Sequence, residues 1–99
     1  MGYEVVVIDA TFNDHYGRVT EHIKHHPLGA KFEHPHIEKA WVDRVGQHKW
    51  VYWVHVKTGH LGNHHHFTVV YEIHFHHHHH HQVEKVHLID IHEGHKTFF

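Results

Sequence analysis

The 99-residue chain contains no cysteine and no serine, and it has only two prolines and one methionine. The lack of cysteine excludes a disulfide framework and a thiol nucleophile. The lack of serine excludes a Ser-His-Asp triad, which leaves threonine and tyrosine as the hydroxyl nucleophiles. Long apolar runs are also missing, so the sequence predicts no membrane-spanning segment.

Motifs for catalysis and phosphate binding are missing too. The His-Glu-x-x-His pattern of metalloproteases does not occur, and no glycine-rich phosphate loop is found. Residues 1–4 do not begin a basic stretch followed by an apolar run, so we expect no secretory signal, a soluble chain and cytoplasmic expression. The formal charge of −2 disfavours nucleic-acid binding at neutral pH. The sequence therefore predicts a protein that is not an enzyme.

Histidine is what the chain has in excess. Its 22 histidines outnumber the 9 basic and 11 acidic residues together, and their full protonation would change the formal charge from −2 to about +20. Histidine is a poor core residue, so we expect these side chains on the surface, where other proteins carry Lys, Glu, Arg or Gln. The apolar fraction of 39% suffices for a core in a single domain, 1–99.

Two helices and a strand are predicted in the first half of the chain. Residues 3–12 are β-branched and apolar, as in a central strand buried on both faces. Asn13-Asp14 offers a helix N-cap, and His26-Pro27 ends that helix. A second helix is predicted from Pro35 to Gly46, with one apolar stripe. Its members are Ile37, Ala40, Trp41 and Val45.

The second half reads as strands. Residues 49–58 and 67–75 flank a turn with two glycines, which predicts a hairpin, and a register that pairs Val54 with Val69 would join their apolar stripes. A last strand, 83–92, has an ambiguous buried face. Val86 and Leu88 point one way, whereas Ile89 and Ile91 point the other.

The resulting order, β-α-α-β-β-β, predicts an α+β fold of two layers. About four mostly antiparallel strands would carry one or two helices on one face. Cystatin-like and related curved-sheet folds are similar in element order alone, which implies no function. The opposite sheet face would present Val51, Trp53 and Val70, an expected route to oligomers.

The predicted core contains no histidine, so we expect the chain to fold without metal. Its members are Val5, Ile8, Val19, Ile23, Trp41, Trp50, Tyr52, Val54, Val69, Tyr71 and Ile73.

Several histidines have the spacing of metal ligands. On a helix, the i and i+4 spacing of His22 and His26 would place both rings on one face. On extended segments, rings at i and i+2 share a face, and such pairs can hold Zn²⁺ or Ni²⁺, or else Cu²⁺ or Co²⁺, with water completing the shell. The extended candidates are His34 with His36, His64 with His66, and His74, His76, His78 and His80.

The run 76–81 consists of six histidines and has the composition of a purification tag, although it lies between two predicted strands. Identical residues cannot alternate between a buried and an exposed face, so a flexible loop is expected. The run is either a handle placed in an engineered protein, which we favour, or a natural tract that buffers metal.

The main functional hypothesis is a histidine-rich protein that binds divalent transition metals without catalysis. Its alternative is a designed or surface-rewritten scaffold with no biochemical activity, whose charge or association depends on pH. A weaker third reading is a zinc site that activates water, which needs three converging histidines and an open position.

Overall fold

A computed structural model describes residues 2–60, 62–76 and 79–96. Five strands form one antiparallel sheet in the order β1-β2-β3-β4-β5, and a single α-helix packs on one face. Their bounds are β1 Tyr3–Val5, α1 Ala10–Ile23, β2 His36–Asp43, β3 Lys49–His60, β4 Asn63–His76 and β5 His79–Glu93, with a 3₁₀ turn at Gly29–Lys31. The two-layer α+β class is as predicted, with one more strand and one α-helix.

The first strand is short and lies at the sheet edge, so the prediction of a central strand over 3–12 is wrong. The chain cannot continue as a strand through residue 12, because Asp9 begins the helix as its N-cap. Its side chain accepts a hydrogen bond from the backbone N–H of Phe12 (2.9 Å) and caps the helix four residues before the predicted cap. The predicted core residues Val5 and Ile8 are exposed as a result.

The segment predicted as a second helix is strand β2. Its apolar residues have helical spacing because the strand contains a β-bulge. The pairing shifts by one residue between Ile37 and Lys39, so Glu38 is an extra residue in β2. Ile37 and Ala40, three residues apart, therefore both face the helix, as they would on a helical stripe. Trp41 points to the opposite face, so its prediction as a core residue is wrong.

The predicted hairpin is confirmed in its register, with Val54 opposite Val69. Its turn depends on Gly59, which has a φ of +88°, and a Cβ there would lie 2.1 Å from the backbone oxygen of Asn63. The register of the two strands is thus fixed by a turn that any residue other than glycine at position 59 would strain.

A bulge also settles the ambiguous face of the last strand. Val70 pairs with Asp90, but Tyr71 pairs with Leu88, so Ile89 is the extra residue. Leu88 and Ile91 consequently lie on the same face despite their odd spacing, and Ile89 is 49% exposed.

We call the sheet face covered by α1 the inner face, and the other the outer face. The inner face and the helix together form the core. The fully or almost fully buried members are Phe12, Tyr16, Val19, Ile23, Ala40, Val42, Tyr52, Val54, Val56, Phe67, Val69, Tyr71, Ile73, Phe75 and Ile91. Trp50 packs against this cluster while partly exposed.

The outer face carries the residues expected there, since Val51, Trp53 and Val70 alternate with core residues. The ring of Tyr3 meets Trp53 edge to face with centroids 5.1 Å apart, and Val70 is only 7% exposed. The face is thus partly covered by its own side chains, and an oligomer through it stays a prediction.

The strands extend into the histidine run, unlike the loop predicted over 76–81. β4 ends at His76 and β5 begins at His79, while residues 77 and 78 lie outside the described residues. Backbone N–H and C=O groups make the ladder, so a run that cannot alternate can still pair. No helix in the described ranges is long and apolar enough to span a membrane.

Candidate functional site

The clearest predicted histidine pair lies at the start of β4. His64 and His66 are two residues apart in one strand, so their side chains project on the same side. They line one pocket of about 250 Å³, together with His65, Phe67, Glu93 and Gly94. The i and i+2 spacing thus places both side chains on one side of β4, and metal binding by the pair stays a prediction.

The ring nitrogens of this pair are only partly occupied. Nδ1 of His64 lies 3.4 Å from the backbone oxygen of Thr58, a long contact in which the ring nitrogen is the donor. The neutral tautomer then keeps its lone pair on Nε2, the form that a metal requires. Glu93 forms an ion pair with Lys31 (3.0 Å), which holds a carboxylate at the same pocket.

Three histidine rings, that of His66 among them, meet on the outer face. The rings of His55 and His95 stack with centroids 4.4 Å apart and planes 11° apart, and His66 meets His95 edge to face at 4.6 Å. In-plane lone pairs of stacked rings run parallel rather than converging. Among the described residues, accordingly, no group of three or more His, Asp or Glu side chains is arranged to hold a metal ion.

The stacked pair instead fastens the segment after β5 to the sheet. The Nε2–H of His55 donates to the backbone oxygen of Lys96 (2.9 Å), and the Nε2–H of His95 donates to that of Val56 (3.1 Å). Partial burial lowers the pKa of His55, while its hydrogen bond to Lys96 opposes that shift and the nearby His95 adds to it. The side chains of His55 and His95 therefore fasten the segment after β5 to the sheet through two hydrogen bonds.

The helical pair is not formed, which corrects the prediction for His22 and His26. The helix ends at Ile23, so His26 lies in the following turn. There its Nδ1 accepts a hydrogen bond from the backbone N–H of Leu28 (3.1 Å). Pro27 prevents the helix from continuing, and the i and i+4 geometry is lost with it.

The segment that carries His34 and His36 is not extended throughout. His34 has a φ of +48°, the left-handed region, whereas His36 is the first residue of β2. The predicted extended segment, which would set both rings on one face, is therefore absent.

The remaining predicted ligands surround the histidine run. His74 is in β4, where its Nε2 lies 3.1 Å from the carboxylate of Glu72. His76 ends β4 and His80 lies in β5, but their side chains are not among those described, and His78 lies outside the described residues. Metal binding by this group stays a prediction.

One histidine was missed because every histidine was expected on the surface. His15 is 2% exposed and sits between Phe12, Tyr52 and Tyr71. Its Nδ1 lies 2.8 Å from the Tyr71 hydroxyl. Burial lowers the pKa of His15 to about 4, an effect that the Asp14 carboxylate opposes, so the ring is neutral at neutral pH. Its position three residues after Phe12, on the apolar stripe of the helix, was the available signal.

Comparison of the chain with protein-family models, with curated proteins and with solved structures gave no significant match.

Proposed function

We propose that this protein binds divalent transition metal ions through surface histidines, without catalysis. The observation that carries the proposal is the His64 and His66 pair, which lies on one side of β4 and lines one pocket, a pocket that Glu93 also lines. Two imidazoles and water can complete the shell of Zn²⁺ or Ni²⁺, and Cu²⁺ or Co²⁺ suit the same ligands.

The charge balance of the chain supports reversible binding at neutral pH. Only 11 carboxylates accompany 22 histidines, so at least half of the imidazoles have no carboxylate of their own. A neutral imidazole ligates, whereas a protonated one cannot. Metal bound at pH 7.5 should therefore be released near pH 5, below the ordinary histidine pKa of about 6.5.

The histidine run would obscure the His64 and His66 site in a titration, so the test removes the run first. In a background with each histidine of 76–81 replaced by glutamine, calorimetry with Zn²⁺ and with Ni²⁺ at pH 7.5 should show a saturable step. The double variant His64→Ala and His66→Ala should lose its tightest step, because both ligands of the proposed site are gone.

The matched control is the His34 and His36 pair, whose segment is not extended at His34. The double variant His34→Ala and His36→Ala removes the same number of histidines and should leave the tightest step unchanged. Equal titrations of the two double variants, or no saturable heat in the background chain, would overturn the proposed site. Zinc-dependent ester hydrolysis that a chelator abolishes would overturn the absence of catalysis and favour a zinc centre with an open position.

The alternative is a scaffold whose charge, rather than bound metal, is the useful property. It is favoured by the lack of any group of three or more metal-holding side chains within the described ranges. Each protonated histidine adds one unit, so acidification would raise the formal charge from −2 to about +20. Sedimentation at pH 7.5 and pH 5 in chelator tests this alternative, which requires a change in association without metal.

A further inference from the structure

A second cavity lies over the inner face of β2 and β3. It is an open cavity of about 420 Å³ between the segment leading from β1, the first turns of α1, and the sheet. Its volume falls within the range of sites for small organic ligands. The lining residues used below are Glu4, Asp9, Phe12, His15, Arg44, Trp50 and Tyr52.

Aromatic rings lie beneath the cavity, and three of the lining residues, Phe12, His15 and Tyr52, are only 2%, 2% and 5% exposed. Phe12 and Tyr52 have centroids 5.9 Å apart, and His15 lies 4.8 Å from Tyr52. Trp50 stands on the neighbouring position of the sheet, with the guanidinium of Arg44 4.4 Å from its ring. Such walls favour a flat, apolar ligand, since ring faces and edges pack on one another.

His15 adds a polar group of defined character. The Tyr71 hydroxyl is fully buried, and Nδ1 of His15 is the acceptor within reach (2.8 Å). A buried hydroxyl donates whenever an acceptor is available, which assigns the lone pair of His15 to Nδ1 and the proton to Nε2. The ring therefore offers an uncharged N–H donor.

The charges around the cavity disfavour an anion. Arg44 is already paired with the carboxylate of Glu4, and Asp9 adds a second carboxylate to the lining. A ligand with a carboxylate or phosphate would meet two like charges and only one compensated cation. An uncharged ligand avoids this repulsion.

We propose that this cavity binds small uncharged aromatic molecules of one or two rings that carry an acceptor oxygen, with the Nε2–H of His15 as the donor to that oxygen. The proposal is independent of metal binding, since His15 is buried and is not one of the surface histidines proposed as metal ligands.

Two nearly isosteric probes separate the donor from the walls. 2-Acetylnaphthalene has a carbonyl oxygen, and 2-isopropylnaphthalene lacks one. Calorimetry at pH 7.5 in chelator should give a Kd on the order of 100 µM for the ketone, given its few heavy atoms. The hydrocarbon should bind roughly fivefold to tenfold more weakly, because it leaves the donor unpaired.

Variants locate the site. His15→Phe should bring the two probes to equal affinity, while His87→Phe makes the same change at an exposed outer-face histidine and should preserve the difference. Thr11→Trp adds bulk at an exposed helix position on the cavity wall and should abolish binding without touching the core. This variant keeps the test decisive if His15→Phe does not fold.

In the background Trp41→Phe and Trp53→Phe, Trp50 is the sole indole, and the ketone should quench its fluorescence with the same Kd. The proposal is overturned by heats no greater than dilution. It is equally overturned by a Thr11→Trp variant that binds the ketone like the parent chain, or by equal affinities of the two probes for the parent chain.

Discussion

The Tyr71 hydroxyl and Nδ1 of His15 lie 2.8 Å apart inside the core, and they join β4 to the helix by a hydrogen bond between side chains. Both residues are almost completely buried, at 0% and 2% exposure. A buried polar pair of this kind is satisfied only while both partners are present. It therefore specifies how the helix is seated on the sheet, in addition to the apolar contacts around it.

The first prediction removes the tyrosine side of this pair. Tyr71→Phe leaves Nδ1 of His15 buried without its partner, so the free energy of unfolding should fall by about 1–3 kcal/mol. Urea denaturation at pH 7.5 in chelator measures the change.

Tyr16→Phe is the matched control. The Tyr16 hydroxyl is also buried but has no hydrogen-bond partner among the described residues. Its removal should leave stability unchanged or raise it, since a buried unpaired hydroxyl is unfavourable. Equal losses in the two variants would contradict a specific bond between His15 and Tyr71.

The second prediction concerns acid. The folded-state pKa of His15 is about 4, below its ordinary value of 6.5, so the unfolded chain takes up this proton first on acidification. The contribution of His15 to stability is thus fully present above pH 6.5 and is lost as the pH falls towards 4. Between pH 6.5 and 4.5 the loss should be about 2 kcal/mol, at 1.36 kcal/mol per unit.

His15→Gln tests this assignment, because an amide can accept from the Tyr71 hydroxyl but does not titrate in this range. The decrease in unfolding free energy from pH 7.5 to 4.5 should be smaller in the variant by about 2 kcal/mol. Repulsion among the other histidines should still lower the melting temperature of both chains at pH 5. Parallel pH profiles would show that His15 does not carry the effect.

The hairpin was predictable from local sequence, whereas β2 was not, because its bulge depends on pairing with another strand. The β3–β4 register follows from the alternation of apolar residues in two consecutive strands and from the short turn between them, in which Gly59 has a φ of +88°. In β2, the bulge at Glu38 arises from pairing with β3, and it puts Ile37 and Ala40 at helical spacing on one strand face. A local pattern cannot distinguish these two origins of the same spacing.

The candidate ligands divide in the same way. Rings two apart share a face in any extended segment, so the prediction for His64 and His66 needed only an extended backbone there, although the strand itself was predicted to begin at residue 67 and begins at Asn63. The extended geometry predicted for His34 and His36 is interrupted by one backbone angle, the φ of +48° at His34. The burial of His15 was missed because the composition of the chain suggested that all histidines lie on the surface. Its place on the apolar stripe of the helix indicated a buried residue instead.

The third prediction tests the segment after β5. Thr68 is fully buried, its hydroxyl donates to the backbone oxygen of Gly94 (2.8 Å), and it accepts from the N–H of Lys96 (2.8 Å). Thr68→Val keeps the shape but removes both bonds, so stability should fall by about 1–2 kcal/mol. Amide exchange at Lys96 should accelerate at constant pH.

Thr58→Val is the comparison, at a threonine that is also fully buried. Among the described residues, the Thr58 hydroxyl makes only a long contact with the backbone oxygen of His65 (3.4 Å), so its loss should matter less. If Lys96 exchanges equally fast in both variants, the Thr68 hydroxyl does not fasten this segment.

The last prediction separates surface metal from structural metal. The core is formed by apolar residues of the helix and the inner face, and His15, its one histidine in the described part of the chain, has its Nδ1 bonded to Tyr71. Folding should therefore not require metal, in contrast to a zinc finger, whose core is too small without its ion. Exhaustive treatment with chelator at pH 7.5 should leave the far-UV and near-UV circular dichroism unchanged. Added Zn²⁺ should then raise the melting temperature only in proportion to the excess of metal over its Kd, as for any ligand of the folded state. Loss of both spectra on chelation alone would mean that histidines hold the fold together through an ion, and the metal would have to be assigned to structure instead of the surface.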